Sequence, residues 1–273
     1  MTEDKHSSQQ WPCPPRIDTE ARGFRLATTS FIYPDHYVPN VRMLAPYVDE
    51  IELLFFESAP PGSLPGKTEI RELASLAAGF GIFYNIHLPL DISLTAQGPG
   101  VRNTAVQTIA GIFDLAAPLA PSTWTLHLPE EDAFKNFDFW HERAGESISR
   151  LCRYIHGSRL TVETLSYPLQ WIDDIISSFN LSICLDIGHM AIHGLDWESF
   201  YLQYSSRIPL IHLYGFEKTH EHLGLDRMAP NLRRRVGRLL SQFTGTLCLE
   251  VFSYEHLASS LQILQEMIRQ DLT

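Results

Sequence analysis

Eight times along this 273-residue chain, an apolar run of strand length gives way to a longer stretch with apolar residues every three or four positions. The runs are FRLATTSFI (24–32), DEIELLFF (49–56), IFYNIHL (82–88), TWTLHL (123–128), LTVETL (160–165), SICLDIG (182–188), PLIHLYGF (209–216) and TLCLEVF (246–252). Between them lie TEIRELASLAAGF, RNTAVQTIAGIFDLAAPL and HERAGESISRLCRYI, and HLASSLQILQEMIRQ closes the chain. That spacing is the period of a helix with one buried face. Most of the runs are apolar along their whole length instead of alternating, as strands covered on both faces are. The repetition predicts an α/β chain folded as a (β/α)8 barrel, a single domain over residues 23–273. A doubly wound open sheet is the alternative topology, but no GxGxxG follows an early strand, which counts against its dinucleotide-binding form. Residues 1–22 are polar and Pro-rich and read as an N-terminal extension, flexible or draped over the barrel.

In such a barrel the functional site forms at the C-terminal ends of the strands. Those positions hold Glu57 just after the second run, His87 on the third, His127 on the fourth and Glu163 on the fifth. Asp186 and His189 follow on and just after the sixth, His212 lies on the seventh and Glu250 on the eighth. The loop after the seventh run adds His220 and His222. YNIHLPL (84–90) returns as WTLHLPE (124–130), which sets His87 and His127 on adjacent strands at one height.

Taken singly, a strand histidine or glutamate is ordinarily a hydrogen-bonded or ion-paired core residue. Ionisable groups inside apolar runs are costly to bury unless paired or metal-bound, and chance would scatter them along the strands. Their gathering at one end predicts a metal centre. Asp186 and His189, three residues apart at a strand-to-loop turn, can converge on one ion. Imidazole and carboxylate without thiolate suit Zn²⁺, Mn²⁺, Fe²⁺ or Co²⁺. One ion uses about three or four protein ligands, so the set is sized for two or three ions per chain. Ions about 3.5–4 Å apart clamp the attacking and leaving oxygens of a phosphoryl displacement. Glu163 and Glu250 are the natural bridges and are assigned the catalytic role. Glu57, Tyr33 and Asp35 lie on the same face and are assigned to substrate binding, with His36 and the loop APPGSLPG (59–66) shaping the pocket. His141, His156, His193 and His256 fall in helices or loops and read as solvated or structural.

The net charge of −11, from 21 Lys plus Arg against 32 Asp plus Glu, argues against a nucleic-acid partner, whose phosphates are bound mainly by Lys and Arg. The four cysteines form no CxxC pair, and Cys184 and Cys248 sit in apolar runs where a thiol acts as a small hydrophobe. No apolar run reaches the length of a membrane span, and the start MTEDKHSSQQWPCPP lacks the apolar core of a signal peptide, so a cytoplasmic, membrane-free chain is expected.

The segments TVETLS, CLDIGHMAIHGLD, IHLYG, HEHLGLD and CLEVF resemble the xylose isomerase-like TIM-barrel superfamily that includes endonuclease IV. The resemblance covers about residues 24–270. It implies three divalent metals held at His87, His127, Glu163, Asp186, His189, His212, His222 and Glu250. The related enzymes carry Asp-x-His in the loop after the seventh strand, where this chain has His220-Glu221-His222, and His220 takes the first of those positions. The opening TTSFIYPDHYVPNVRMLAPYVDEIELLFFES, followed by HLPLDISL, is similar to the CbiR family of cobamide-remodelling phosphodiesterases. That similarity implies hydrolysis of the nucleotide-loop phosphodiester of adenosylcobamides to adenosylcobinamide and an α-ribazole phosphate. Three other functions stay open at this level: a single-metal sugar isomerase or epimerase using Glu163, Asp186, His212 and Glu250; DNA repair of the endonuclease IV type; and a non-enzymatic corrinoid or metal carrier.

Overall fold

In a computed structural model of the chain, residues 11–18, 22–59, 63–130, 132–218 and 220–270 are described. Each apolar run supplies one strand: β1 (Arg25–Thr29), β2 (Glu50–Leu54), β3 (Phe83–His87), β4 (Trp124–Leu126), β5 (Leu160–Glu163), β6 (Ser182–Asp186) and β7 (Leu210–Leu213). A short hairpin, β8 (Gly215–Glu217) and β9 (His220–Leu223), precedes the last barrel strand, β10 (Thr246–Leu249). The barrel is closed and parallel throughout, in the order β1-β10-β7-β6-β5-β4-β3-β2.

The strands stop short of the apolar runs that announced them. Ile32, Phe55, Leu88, Leu128 and Val251 lie beyond the last ladder pair yet are buried. Loops at the C-terminal mouth therefore bury apolar side chains as the strands do, and hydropathy alone runs past the strand end. His127 and Glu250 consequently stand one residue beyond their strands.

The helices that matter for the site are α1 (Tyr37–Leu44), α2 (Lys67–Phe80), α3 (Pro99–Ala116), α4 (Phe137–Leu151), α5 (Asp173–Ser178), α6 (Ile187–Ile192), α7 (Trp197–Tyr204), α8 (Pro230–Leu240) and α9 (Tyr254–Gln270). Their apolar stripes face the barrel. In α4 the stripe is Trp140, Ala144, Ile148 and Leu151, all fully buried. Truncating one such leucine to alanine costs about 2–5 kcal/mol. Among the described residues, no helix is long and apolar enough to cross a membrane.

The main core lies between the barrel and its helices. Inside the barrel the filling is different. A small apolar plug of Ala27, Cys184, Leu210 and Cys248 stands apart from the main core. Burial pushes both thiols well above their ordinary range, which keeps them protonated packing groups. At the N-terminal end of the barrel, Glu50 accepts from Asn85 Nδ2 at 2.9 Å, Thr246 Oγ1 at 2.9 Å and Ser122 Oγ, and Arg25 Nη1 is 3.4 Å away. That carboxylate is saturated. The C-terminal end behaves otherwise.

Residues 11–18 of the N-terminal segment lie on the barrel. Tyr33 Oη donates to the Pro12 carbonyl at 2.7 Å, Tyr254 Oη donates to the Cys13 carbonyl at 3.2 Å, and Ile17 joins the core. Residues 1–10 and 19–21, and positions 60–62 of the 59–66 loop, lie outside the described residues.

Candidate metal centre

At the C-terminal mouth, strand register sets Asp186 of β6 beside His212 of β7, and Glu163 of β5 beside Cys184 of β6. Glu163 is the hub. Its Oε2 lies 3.2 Å from His87 Nε2, 3.1 Å from His127 Nε2 and 3.6 Å from His212 Nδ1, while its Oε1 is 3.4 Å from His189 Nδ1. Glu250 Oε2 lies 3.1 Å from His212 Nδ1 and 3.8 Å from His222 Nδ1. Asp186 divides its carboxylate. Its Oδ1 accepts from the backbone N–H of His189 at 2.6 Å, capping α6, and its Oδ2 faces His189 Nδ1 at 3.6 Å and His212 Nδ1 at 4.0 Å.

Second hydrogen bonds fix the imidazole tautomers. A backbone carbonyl can only accept, so the ring nitrogen it meets must donate. His87 donates through Nδ1 to the Leu88 carbonyl at 3.0 Å, which leaves Nε2 turned to Glu163. His222 donates through Nδ1 to the Glu250 carbonyl at 3.1 Å, and His189 through Nδ1 to the Thr164 carbonyl at 3.2 Å. His212 is oriented the other way: its Nε2 donates to Glu52 Oε1 at 3.1 Å, and Nδ1 faces three carboxylates. In the neutral rings of His87 and His212, the nitrogen aimed at the carboxylates therefore carries a lone pair.

Lone pairs facing carboxylates repel unless a cation lies between them. The charge balance of the metal-free chain reflects that demand. Burial lowers the proton affinity of His212 and His87, and the groups packed around them overcome it: Cys184, then Glu52, Glu250 and Glu163, hold His212 well above the usual imidazole range, and Glu163 raises His87. Burial raises Glu163, but His127 and His212 outweigh it and hold the carboxyl well below its ordinary range. Asp186, buried and beside Glu163 and Glu250, is pushed up to about 8. The buried atoms without a hydrogen-bond partner include His127 Nε2, Asp186 Oδ2, His212 Nδ1 and Glu250 Oε2. Four orphans in one cluster, each turned to the same interior, are what a cation-binding site requires.

The donors fall into groups of the right size. His87, His127 and Glu163 form one, and Glu163, Asp186, His212 and Glu250 a second. His189, Glu221 and His222 form a third, and Cys184 also comes within range of Glu163 and His212. The residues present therefore fit divalent ions, with Glu163 common to the first two groups.

Of the residues assigned from sequence, His87, His127, Glu163, Asp186, His189, His212, His222 and Glu250 are brought together here. His220 is not. It is exposed at the start of β9, and Glu221, with Oε2 3.8 Å from His189 Nε2, comes to the mouth instead. The reason is backbone: His222 has φ +56°, which breaks the two-residue alternation of the strand. Glu57 is also exposed, with Oε2 3.5 Å from Ser63 Oγ, and it joins none of the groups. Tyr33 is buried and Asp35 exposed, both lining a cavity beside the centre. Sequence reasoning missed Glu52 and Glu221. Glu52 carried the same signal as the others, a carboxylate within an apolar run, but inside the strand instead of at its end. His36, His141, His156, His193 and His256 belong to none of the groups.

A family model described as a xylose isomerase-like TIM barrel matches residues 48–270. No curated protein matches the chain significantly in sequence. Among solved structures, a D-tagatose 3-epimerase-like protein is similar at 17% identity and a TM-score of 0.75, over 92% of this chain and 100% of that one. Endonuclease IV from Thermus thermophilus is similar at 18% identity and a TM-score of 0.68, over 90% of this chain and 99% of that one. A 3-keto-D-glucoside 4-epimerase from E. coli is similar at 12% identity and a TM-score of 0.68, over 90% of this chain and 99% of that one. At such identities the likeness speaks for the fold.

Proposed function

Since the chain belongs to the xylose isomerase-like TIM-barrel family, we propose that it is a metal-dependent phosphodiesterase of the CbiR type, hydrolysing the nucleotide-loop phosphodiester of adenosylcobamides such as adenosylcobalamin. The observation that carries a multi-metal phosphodiesterase is the pair of histidine groups, His87–His127–Glu163 and His189–Glu221–His222, flanking the four-ligand group of Glu163, Asp186, His212 and Glu250. Isomerisation of a sugar on one ion leaves the flanking groups without a task. The cobamide substrate rests on the sequence similarity in the segments at 28–58 and 87–94, and the acidic net charge favours a small-molecule phosphodiester over DNA.

Bound divalent ions would supply Lewis acidity to the phosphoryl oxygens and lower the pKa of a coordinated water. The protein supplies placement. Glu163 links two groups through one carboxylate, and His87, His127 and His212 converge on its Oε2. Glu250 Oε2, buried without a hydrogen-bond partner, is set to orient the attacking water and to take up its proton. Water adds oxygen to phosphorus, the phosphodiester P–O bond breaks, and a proton passes to the leaving alkoxide. The products are adenosylcobinamide and an α-ribazole phosphate.

A single-metal sugar epimerase is the second reading, favoured by the completeness of the four-ligand group, with Glu163 and Glu250 as proton carriers. Endonuclease IV-type cleavage of abasic DNA shares the phosphodiester chemistry, but the excess of acidic residues disfavours it. Incubating the metal-loaded chain with adenosylcobalamin and separating the products by chromatography distinguishes these. Cobinamide is the expected product. Ketose epimerisation without phosphodiester cleavage, or cleavage of abasic DNA alone, would overturn the assignment.

A further inference from the structure

Beside the metal centre, on the β1 and β10 side of the mouth, lies a cavity of ≈ 760 Å³. Its walls come from three separate parts of the chain: the N-terminal segment (Trp11), the loop after β1 (Phe31, Tyr33) and the start of α9 with the residues before it (Phe252, Tyr254). The rings are ordered. Trp11 and Tyr33 have centroids 5.7 Å apart, and Tyr33 and Tyr254 stack at 6.1 Å with an interplanar angle of 25°. Both phenols are committed to the carbonyls of Pro12 and Cys13, so the tyrosines hold the N-terminal segment in place, and buried Tyr33 backs the partly exposed rings of Trp11 and Tyr254.

The cavity is separated from the metal ligands by a single aromatic ring. Phe252 lines it and also packs against His222 at 4.8 Å and Phe56 at 5.9 Å, and Phe56 in turn meets His87 at 5.2 Å. A group seated there is thus one aromatic ring removed from His222. Its charge is constrained as well. Asp35, His36 and Glu255 stand at the lining, and aromatic faces are electronegative, so an anion is disfavoured, while the aromatic walls suit stacking of a flat ring. The size falls within the range of small-molecule pockets, about 300–1,000 Å³.

We infer that this cavity receives the flat, neutral fused-ring base of the substrate, carried on the sugar next to the scissile phosphate, and that Trp11 of the N-terminal segment is a stacking wall of that subsite. The inference rests on the phosphodiesterase reading and names the part of the substrate that the aromatic side holds. It also makes the N-terminal segment part of the site.

The test is calorimetric titration of the metal-loaded full-length chain with α-ribazole, a benzimidazole riboside without phosphate. Trp11→Ala is expected to weaken binding about tenfold, within the range for loss of one base–aromatic stack. Tyr254→Leu, on the facing wall, should weaken it likewise, Trp11→Phe should recover most of the affinity, and Phe83→Ala, at the opposite end of the barrel, should match the wild type. Circular dichroism establishes that each variant is folded. Equal affinity in wild type, Trp11→Ala and Tyr254→Leu would overturn the inference, as would a wild type that cleaves adenosylcobalamin but does not bind α-ribazole. A wild type that binds the riboside in a Trp11-dependent way without cleaving adenosylcobalamin leaves the cavity assigned and removes the cobamide reading alone.

Discussion

Glu52 and His212 meet inside the barrel, 160 residues apart in sequence, with Oε1 3.1 Å from Nε2 and neither side chain exposed to solvent. Glu52's other oxygen accepts from Cys248 Sγ at 3.3 Å. The bond fixes which imidazole nitrogen of His212 faces Glu163, Asp186 and Glu250. Carboxylates that orient a metal-binding histidine in this way usually carry about 10–100-fold of the metal affinity. Glu52→Gln, which keeps an acceptor but loses the charge, should weaken Zn²⁺ or Mn²⁺ binding about tenfold, and Glu52→Ala, which strands a buried N–H, should weaken it about a hundredfold. Competition with a chelator measures both. Affinity within a factor of two of wild type in Glu52→Ala would show that His212 is not positioned through this contact.

His87 and His127 distinguish a multi-metal centre from a single-metal one. Each belongs to the group with Glu163 but not to the four-ligand group that shares Glu163. Removing either imidazole should lower metal content by one ion per chain while the four-ligand group stays filled. The variants to compare are His87→Ala and His127→Ala, with elemental analysis after dialysis. Both should also lose phosphodiesterase turnover by a factor of about a hundred or more, since positioning and charge neutralisation at phosphorus depend on the lost ion. A wild type holding one ion, unaltered in both variants, would point to the epimerase reading.

Every barrel strand falls inside the apolar run read for it, because parallel strands buried on both faces leave a continuous hydropathy signal. The same continuity hides orientation. All five residues of β2 are buried, so hydropathy does not say which of them look into the barrel, and a strand-end rule selects Glu57 past the end over Glu52 within it. The histidines stood out because they gather at the same end of successive apolar runs, where chance would have scattered them. His220 was misplaced for a different cause. A left-handed residue at His222 rotates the hairpin so that Glu221 faces the mouth, and although histidine is among the residues enriched at positive φ, neither composition nor spacing says which one adopts it. Aromatic residues of the cavity were visible only in part: Tyr33 follows a strand, whereas Trp11 lies in a segment whose composition reads as an appendage.

Acid–base linkage gives a prediction with a definite sign. In the metal-free chain His87, His189 and His212 have raised pKa values, with burial opposed and exceeded by nearby carboxylates and, at His212, first by Cys184. Their stabilising contribution is complete below the ordinary imidazole pKa and is lost as pH rises through the raised one. Asp186, pushed up to about 8, has the same sign, so its contribution also disappears as pH climbs toward that value. Glu163 and Glu250, both lowered, act on the acid side, stabilising above the ordinary carboxylate range and losing that effect as pH falls through their own lower values. Metal uptake expels the protons held by these groups, so binding strengthens with pH. The Tm of metal-free protein should therefore fall between about pH 6 and pH 8.5, while the gain on adding metal grows, reaching about 5–10 °C at a hundredfold excess over Kd. A gap that stays constant or narrows over that interval would contradict the assignment of these groups to one cation site.

Gly188 offers a test of how the hairpin group is held. It is the second residue of α6, between Asp186 and His189, and a Cβ built there would lie 2.3 Å from Tyr214 Cζ and 2.4 Å from Cε2. Tyr214 is fully buried, and its ring stands 4.3 Å from His222 and 6.2 Å from His189. The ring is fully buried and packed against those imidazoles, so an added methyl can be admitted only by displacing it. Overpacking of this kind costs about 1–3 kcal/mol. Gly188→Ala should accordingly lower Tm by about 2–12 °C, from the shift of about 2–4 °C per kcal/mol expected at this chain length. It should also weaken the ion at His189, Glu221 and His222 more than the one at Glu163, Asp186, His212 and Glu250. Combining it with Tyr214→Leu, which vacates the space, should recover part of the lost stability, and the double-mutant cycle isolates that coupling. If Gly188→Ala alone melts with wild type and keeps full metal content, Tyr214 does not brace the hairpin histidine.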